Sequence, residues 1–291
     1  MDQVTIVDVT LRDGLQDQPQ RVATDDKVQL ARLLIQAGYQ ELELTSMVRP
    51  DWIPQTSDAE AVIRGVGAQS GLRRHVLVPN RRGLERALAT DSEVITFVIS
   101  ASTQHNQRNL NCTTEESLAR VTPLIKAAKE AGRFVRGTIS TAFGCTLQGT
   151  VAPRAVLSVV DTYVNAGVNQ ICLADTVGMA TTEIFDILLE TVLSYVDSSR
   201  LAIHLHEGSG SPILRLVDHA LVYGIRTFDA ALGGLGGCPF APGAEGNLKA
   251  EMLIPHVESH GYWTGIDSTQ LPAIALTLGM ALGKGSPIAA G

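Results

Sequence analysis

The sequence contains no cluster of positive charge. Among its 291 residues, 23 are Lys or Arg and 30 are Asp or Glu, which gives a net charge of -7 at pH 7, and the basic side chains are scattered. Proteins that bind nucleic acid usually concentrate basic residues on one surface, so we expect no nucleic-acid partner. The sequence also lacks an apolar run long enough to span a bilayer and the basic flank and apolar core of an export signal. We therefore expect a cytoplasmic protein without a membrane partner.

Paired cysteines are absent as well. The four cysteines, Cys112, Cys145, Cys172 and Cys238, are far apart and form no CxxC pair. In a chain without an export signal, cysteines spaced in this way are normally reduced thiols. We expect free thiols, one of which could be reactive.

The chain also lacks a linker rich in Pro, Gly or Ser. Short β-branched runs alternate instead with longer amphipathic stretches along its length. The predicted strands cover residues 4–9, 41–45, 75–78, 94–99, 135–140, 170–174, 201–206 and 227–232. Helix-like segments between them include residues 25–37, 115–131, 153–166, 182–196 and 212–223, several of which end at a glycine typical of a left-handed helix cap.

Eight strand–helix units without a linker favour a (β/α)8 TIM barrel of the α/β class, which typically takes about 250 residues. We predict one catalytic domain over residues 1–291, with the barrel ending near residue 260 and an additional helical segment over residues 261–291. A doubly wound open sheet has the same local pattern and is the alternative fold. It is less favoured because no GxGxxG motif follows the first strand.

Polar side chains are concentrated where the predicted strands end. In strand order these are Asp13, Glu43 with Ser46, Asn80, Ser100, Thr141, Asp175, His206 and Cys238. In a TIM barrel the C-terminal ends of all strands meet at one face, where active sites are built. This distribution favours the closed barrel and predicts the location of its active site.

Two histidines at the end of the seventh predicted strand form a candidate metal pair. His204 and His206 are two residues apart, so a strand directs both imidazoles to the same side. An isolated HxH is just as often a hydrogen-bonded pair without a metal. The Arg12-Asp13-Gly14 turn after strand one adds a carboxylate at the same barrel face. Imidazole nitrogen with carboxylate oxygen suits magnesium, manganese or zinc.

Residues 232–247 are rich in glycine and contain Cys238. Ordering such a segment costs much backbone entropy, which is typical of a lid that orders over a ligand. Cys238 would then be a catalytic acid or base carried by the lid, and an inert surface cysteine is the alternative. Asn247 closes the segment and can cap the next helix or offer its amide oxygen to a metal.

Further candidates lie at the same barrel face. Glu43 and Asp175 could each act as a base, orient a metal ligand, or serve only in a turn or ion pair. Residues 105–111 read as a polar loop after strand four that could hold substrate. Glu251 could bond to the lid or to an arginine, or could be an exposed carboxylate on a helix.

Longer motifs run through nearly the whole chain. They are RDGLQ at 12–16, ELTS at 43–46, PDWIPQ at 50–55, RNLNC at 108–112, VRG at 135–137, AFGC at 142–145, DTVG at 175–178, HLH at 204–206 and the segment 238–247. Together they resemble the hydroxymethylglutaryl-CoA lyase family. Arg-Asp-Gly and HxH also occur in the related isopropylmalate and homocitrate synthases, whereas the Gly-Gly-Cys-Pro loop is specific to the lyases.

The resemblance implies a function and a set of roles. The family cleaves an acyl-CoA by a retro-Claisen reaction, here 3-hydroxy-3-methylglutaryl-CoA (HMG-CoA) or a close analogue, to acetyl-CoA and acetoacetate or the corresponding ketone, as in leucine degradation. It implies a homodimer that uses magnesium or manganese, with zinc as a further possibility. The resemblance implies metal binding by Asp13, His204, His206 and Asn247, and catalysis by Arg12, which faces the thioester carbonyl, and by Cys238 on the lid. We further expect catalysis by Glu43 and Asp175, substrate binding by Gln16, Ser46, Asn109 and Thr176, and support of the ligands by Glu207 and Glu251.

The chain departs from the family pattern at three places. Residues 207–210 read Glu-Gly-Ser-Gly where the lyases usually have Asp or Asn, then Thr, an aromatic residue or Arg, and Gly. Thr10 and Leu11 replace the usual Gly-Pro and are similar to the synthases, and Cys172 and Ala174 stand where Ser and Gly are common. These departures keep open a lyase for another branched hydroxyacyl-CoA or a condensing acyltransferase. A non-catalytic binding protein is a third alternative, since fold does not fix function.

Overall fold

The eight predicted strands form one closed parallel barrel in which each strand pairs with the next and the eighth pairs with the first. The computed structural model describes residues 2–237 and 246–283. The strands are β1 Thr5–Asp8, β2 Glu41–Ser46, β3 Arg73–Leu77, β4 Val94–Ser100, β5 Phe134–Ser140, β6 Gln170–Asp175, β7 Leu201–Leu205 and β8 Thr227–Ala230. The predicted (β/α)8 barrel is therefore confirmed, and the open sheet was the wrong alternative.

Helices occupy the connections between successive strands. They are α1 Thr24–Gln36, α2 Ala59–Val66, α3 Arg81–Leu88, α4 Thr103–Leu110, α5 Thr114–Glu130, α6 Pro153–Ala166, α7 Thr182–Leu193, α8 Ile213–Val222, α9 Ala250–Ser259 and the additional C-terminal helix α10 Leu271–Ala281. Within the part of the chain that the structure describes, none of these helices is long and apolar enough to cross a membrane.

The polar segment 105–111, predicted as a loop, lies instead largely within α4. The Ser102 side chain accepts a hydrogen bond from the backbone N–H of His105 and caps the helix at its start. Asn111, with φ 51°, ends the helix in the left-handed conformation. Two polar residues that fit a loop composition thus serve as the caps of a short helix.

The main hydrophobic core lies between the strands and the surrounding helices. In α6 the buried residues Val156, Val159, Val160 and Tyr163 follow the three- and four-residue spacing that places them on one face. Gly167 ends this helix with φ 85° and ψ 24°, a conformation that glycine adopts without a steric penalty. The predicted glycine cap is confirmed there.

Tyr163 packs directly against the backbone of β5 at Gly137. A Cβ added to Gly137 would lie 2.5 Å from Cδ2 of the Tyr163 ring, which is fully buried. The contact leaves no room for a side chain at position 137. The preceding residue, Arg136, points into the barrel. Gly137 is therefore required by the packing of α6 on β5.

We expect Gly137→Ala to lower the free energy of unfolding by about 1–3 kcal/mol, the usual cost of an added group in a packed core. Chemical denaturation followed by circular dichroism measures the change. Because the clash is with one ring, Tyr163→Leu should absorb much of the added methyl, so the double variant should lose less stability than the two single variants together. Strictly additive losses would contradict this contact.

The interior of the barrel is unusually polar. Glu41 and His75 form a buried pair with 2.9 Å between Oε2 and Nε2, and Arg136 binds Asp229 with 2.6 Å between Nη2 and Oδ1. TIM barrels are usually filled by layers of Val, Ile and Leu. Here the strands carry charged groups up to the C-terminal face, where they support the candidate site.

A buried carboxyl group joins the turn after β1 to the turn after β8. Both oxygens of Asp8 accept hydrogen bonds from Thr10, at 3.0 Å from its N–H and 2.9 Å from its hydroxyl. The Thr10 hydroxyl oxygen in turn accepts from the N–H of Leu232 at 2.9 Å. Burial, with a smaller contribution from the nearby charge of Glu251, raises the pKa of Asp8 to about 7 against the opposing hydrogen bonds.

This pKa predicts a stability that depends on pH. Between about pH 4 and pH 7 the carboxyl is protonated when folded and ionised when unfolded, so the free energy of unfolding decreases as the pH rises, by on the order of 4 kcal/mol in total. Asp8→Asn cannot ionise. We expect its stability relative to wild type to improve from pH 5 to pH 8 in denaturant titrations, whereas Asp25→Asn, an exposed control, should show no such trend. A constant difference for Asp8→Asn would contradict a raised pKa.

Candidate metal and substrate site

Asp13, His204 and His206 converge at the C-terminal face of the barrel. Strand β7 carries His204, His206 follows its end, and Asp13 lies in a short π-helical turn, Thr10–Gly14, after β1. One potential ligand atom from each residue lies within 4.8 Å of the others, and the side chains of Asp13, His204 and His206 are 13%, 10% and 3% exposed. The sequence-predicted carboxylate and histidine pair is thus brought together in space.

The distances between these atoms fit a shared cation. The Nε2 atoms of His204 and His206 are 2.9 Å apart, and His206 Nε2 lies 3.8 Å from Oδ2 of Asp13. Two imidazole nitrogens at this separation need a proton or a cation between them, because two lone pairs repel each other. Two nitrogens and one carboxylate oxygen are a donor set that zinc, manganese and magnesium accept.

Asn247 lies beside the same group. Its backbone forms an isolated antiparallel bridge with His206, and its side-chain Nδ2 lies 2.7 Å from Oδ2 of Asp13 and 2.8 Å from the carbonyl oxygen of Leu235. The amide therefore adjoins the predicted ligands, and its nitrogen donates both of these hydrogen bonds. Metal ligation by its oxygen stays a prediction.

Asp229 orients His204 and was missed in the sequence. Its Oδ2 lies 3.0 Å from Nδ1 of His204, while its Oδ1 accepts from Arg136 at 2.6 Å. A carboxylate can only accept here, so Nδ1 carries the proton and Nε2 keeps its lone pair toward His206. Burial alone would raise the pKa of Asp229, but Arg136 and His204 hold it below its ordinary value.

A period-two pattern could have revealed both missed residues. Arg136 and Asp229 each occupy a strand position that alternates with apolar neighbours, and a charge at such a position in a barrel strand must face the interior. A buried charge needs a partner. The two residues satisfy that need for each other.

Arg12 is held by two carboxylates at the wall of the site. Its Nε donates to Oε2 of Glu43 at 2.6 Å and its Nη1 donates to Oδ1 of Asp13 at 2.5 Å. Burial acts to lower the pKa of Arg12, but Glu43 and Asp13 raise it above its ordinary value, which keeps the guanidinium charged. Burial acts to raise the pKa of Asp13, but the charges of Arg12, His204 and His206 outweigh burial and lower this pKa below its ordinary value.

A cavity of about 620 Å³ opens above these residues. Its wall contains Arg12, Asp13, Glu43, His204 and His206, together with the predicted substrate-binding residues Gln16, Asn109 and Thr176. Exposed Trp52 and Leu110 lie at its edge. Its volume is typical of a small-molecule site.

Two predicted site residues do not line this cavity. Ser46 is fully buried and accepts a hydrogen bond from the N–H of Val48 at 3.2 Å. Asp175 accepts from the N–H groups of Met179 and Ala180 at 3.0 and 2.8 Å, so both its oxygens organise the loop after β6. Burial raises the pKa of Asp175 against these bonds. The geometry gives both residues structural contacts, and their chemical roles stay predictions.

Glu207 and Glu251 also lie outside the cavity wall. Among the described residues, the Glu207 side chain has no hydrogen bond or ion pair with the three predicted ligands, and its N–H donates to the carbonyl oxygen of Gly246 at 3.0 Å. Both oxygens of Glu251 lie 3.0 Å from the N–H of Gly233. Glu251 therefore supports the start of the glycine-rich segment, as expected for a bond to the predicted lid.

Gly208, one of the departures from the family pattern, does not open space beside the predicted ligands. A Cβ added there would lie 2.5 Å from the carbonyl oxygen of Gly178, and one added to Gly178, which has φ 63°, would lie 2.4 Å from the carbonyl oxygen of Glu207. The loops after β6 and β7 pack backbone against backbone. The space beside Gly208 is filled by the loop after β6 and is therefore not available to substrate.

The cysteines divide into two groups. Cys112, Cys145 and Cys172 are free and buried, and burial raises the pKa of Cys172 to about 12. None of these three lines the cavity. Cys238, the predicted lid thiol, lies outside the described residues, and its role stays a prediction.

We expect Asp229→Asn to weaken manganese binding by about 10- to 100-fold, because the amide no longer fixes the His204 tautomer. Isothermal titration calorimetry on the folded variant measures the effect. Glu41→Gln, which alters a buried carboxylate–histidine pair deeper in the barrel, should bind manganese as wild type does. Equal affinities for Asp229→Asn and wild type would rule out the orienting role.

Comparison with known proteins agrees with this geometry. The model of the family described as HMGL-like matches residues 3–278. The chain is 37% identical to human mitochondrial hydroxymethylglutaryl-CoA lyase over 268 residues, covering 92% of this chain and 82% of the relative, and 35% identical to a Bacillus subtilis hydroxymethylglutaryl-CoA lyase, covering 98% and 95%. An HMG-CoA lyase from A. baumannii, solved with coenzyme A and 3-methylmalate, superposes with a TM-score of 0.91 at 37% identity, covering 98% of this chain and 93% of that one. With its barrel, its buried Asp-His-His group and this match over most of its length, the chain belongs to the HMGL-like family.

Proposed function

We propose that this protein is a divalent-metal-dependent carbon–carbon lyase that cleaves HMG-CoA to acetyl-CoA and acetoacetate. The observation that carries the proposal is the placement of Asp13, His204 and His206 beside the fixed guanidinium of Arg12 in one cavity. Family membership and the names of the relatives support the substrate. The coenzyme A in the related A. baumannii structure supports an acyl-CoA ligand.

Asp13, His204 and His206 would hold the cation, with Asn247 as an additional oxygen donor. When bound, the cation would supply Lewis-acid chemistry that lowers the pKa of the substrate's tertiary hydroxyl group. Magnesium or manganese is the proposed ion, and zinc also fits the nitrogen donors. Asp229 prepares this site by keeping the proton of His204 on Nδ1.

The reaction requires charge to move from the hydroxyl oxygen to the thioester oxygen. The hydroxyl proton goes to a base, the carbon–oxygen double bond of the ketone forms, and the carbon–carbon bond breaks to leave an acetyl-CoA enolate. Arg12 is suited to stabilise the negative charge on the thioester oxygen because Glu43 and Asp13 fix its guanidinium before substrate arrives. The enolate carbon then takes up a proton.

Two residues are proposed to handle protons. Glu43 lies in the cavity wall, and its carboxylate is the candidate base for the hydroxyl proton. Cys238 is the candidate acid for the enolate, since a thiol is a far stronger acid than water or a hydroxyl. Asp175 would act on this chemistry only through the loop that it organises.

We also propose a single catalytic domain over residues 1–291, a homodimer, a cytoplasmic location and a role in leucine degradation. Thr10, which suggested the synthases, serves as a link between Asp8 and Leu232, so this departure has a structural explanation. The departure from the family pattern at Glu207, which directly follows the predicted ligand His206, keeps a lyase for another branched hydroxyacyl-CoA as the second candidate.

We expect purified protein with manganese to release both acetyl-CoA and acetoacetate from HMG-CoA. The same protein should form no condensation product from acetyl-CoA and a 2-oxo acid. A panel of longer branched 3-hydroxyacyl-CoAs tests the second candidate, which predicts higher turnover on one of them. Condensation without cleavage would replace the lyase by a synthase, and no turnover on any substrate would favour a binding protein.

We expect Asp13→Ala and His206→Ala each to reduce turnover by on the order of 10³-fold or more, together with loss of manganese binding, since each removes a ligand of the same ion. His219→Ala, which removes a histidine paired with Asp186 on the outer helices, is the control and should keep wild-type turnover. Turnover by either ligand variant after chelator treatment would refute a metal-dependent reaction.

A further inference from the structure

A second group of metal-ligating side chains lies outside the barrel. Asp218 in α8, His256 in α9 and His260 at the end of α9 each offer a ligand atom, and these atoms lie within 4.8 Å of one another. His256 and His260 are four residues apart, which places them on the same face of a helix. Among the described residues, this group and the barrel group are the two clusters of this kind.

The orientation of His260 favours a ligand role. Its Nδ1 lies 2.8 Å from the backbone carbonyl oxygen of His256. A carbonyl oxygen can only accept, so Nδ1 carries the proton and Nε2 keeps its lone pair. That nitrogen lies 3.9 Å from Oδ1 of Asp218. Metal-binding histidines are commonly fixed by this arrangement, in which the second ring nitrogen donates to a backbone carbonyl.

The other distances also suit a tetrahedral ion. Oδ1 of Asp218 is 2.6 Å from Nε2 of His256 and 3.9 Å from Nε2 of His260. Ligand atoms about 2.1 Å from a tetrahedral zinc are about 3.4 Å apart, a value between these two separations. A small rotation of the Asp218 side chain would bring the two separations closer together, and the 49% exposure of the His260 side chain leaves a coordination position open to water.

We propose that Asp218, His256 and His260 form a second divalent-metal site, selective for zinc, that joins α8 to α9. Two imidazoles with one carboxylate favour zinc over magnesium or calcium, which prefer oxygen ligands. Zinc would take the place of the proton between His256 and Asp218. Helix α9 follows Asn247 and carries Glu251, which bonds to Gly233 in the glycine-rich segment. Helix α8 follows His204 and His206. The ion would therefore link α9 to α8.

His219 provides an internal control in α8, the helix that carries Asp218. Its Nδ1 lies 2.8 and 3.0 Å from the two carboxylate oxygens of Asp186, so it is a histidine–carboxylate pair of similar exposure. It belongs to neither three-residue group. Replacing it therefore removes a surface histidine without removing a proposed ligand.

The test counts zinc on the full-length chain. Wild type, His256→Gln, His260→Gln and His219→Gln are stripped with a chelator, dialysed against a series of free zinc concentrations, and assayed by atomic absorption. At equal free zinc, wild type and His219→Gln should bind one more zinc per chain than His256→Gln or His260→Gln. If the two ligand variants still bind this additional zinc, their affinity for it should be at least tenfold weaker. Magnesium should show no such difference.

Thermal unfolding gives a second readout on the same samples. Zinc should raise the midpoint more in wild type and His219→Gln than in His256→Gln or His260→Gln, because the bridging ion binds only the folded state. Equal zinc content and equal midpoint shifts in all four proteins would overturn the proposal, as would a loss in His219→Gln as large as in His260→Gln. All four keep the barrel ligands, so failure of the lyase proposal would leave this comparison intact.

Discussion

The carboxylate of Asp229 connects the charged interior of the barrel to His204, one of the candidate metal ligands at its C-terminal face. It accepts from Arg136 on one oxygen and faces His204 on the other. Removing one member of a buried ion pair leaves the other without compensation and typically costs several kcal/mol. The His204 imidazole in the cavity wall is thus oriented by the Arg136–Asp229 ion pair, which lies in the strands beneath it. The folded barrel therefore orients a candidate ligand without any contribution from a bound ion.

The charges around the cavity determine how a bound cation would act there. Asp13, Glu43 and Asp229 supply three carboxylates, and Arg12, Arg108 and Arg136 supply three guanidinium groups. These charges sum to zero when the histidines are neutral, so a divalent ion would make the cavity wall positive. A positive wall would attract an acyl-CoA, which carries several negative charges, to a protein whose overall charge is -7.

Much of the barrel could be predicted from sequence because buried strands and capped helices leave local signals. All eight strands and the glycine after α6 fall where β-branched runs and turn residues indicated. Helix α4 was missed because its polar composition is that of a loop, whereas contacts with Ser102 and with the following segment help to stabilise it as a helix. Short helices that depend on tertiary contacts rather than on a hydrophobic face have little signal in sequence.

The site was predictable to the extent that its residues follow strand ends. Asp13, His204 and His206 were found in this way, whereas Asp229 and Arg136 were not, because they act from within strands and pair across the barrel. The contact between Gly178 and Gly208 was equally hidden, since two glycines far apart in sequence give no sign that their backbones touch. That contact has a consequence for how such a site can change. A side chain introduced at either position alone would push the loops apart, so neither loop can explore new sequences independently. Directed evolution of these loops would therefore need libraries that vary positions 178 and 208 together.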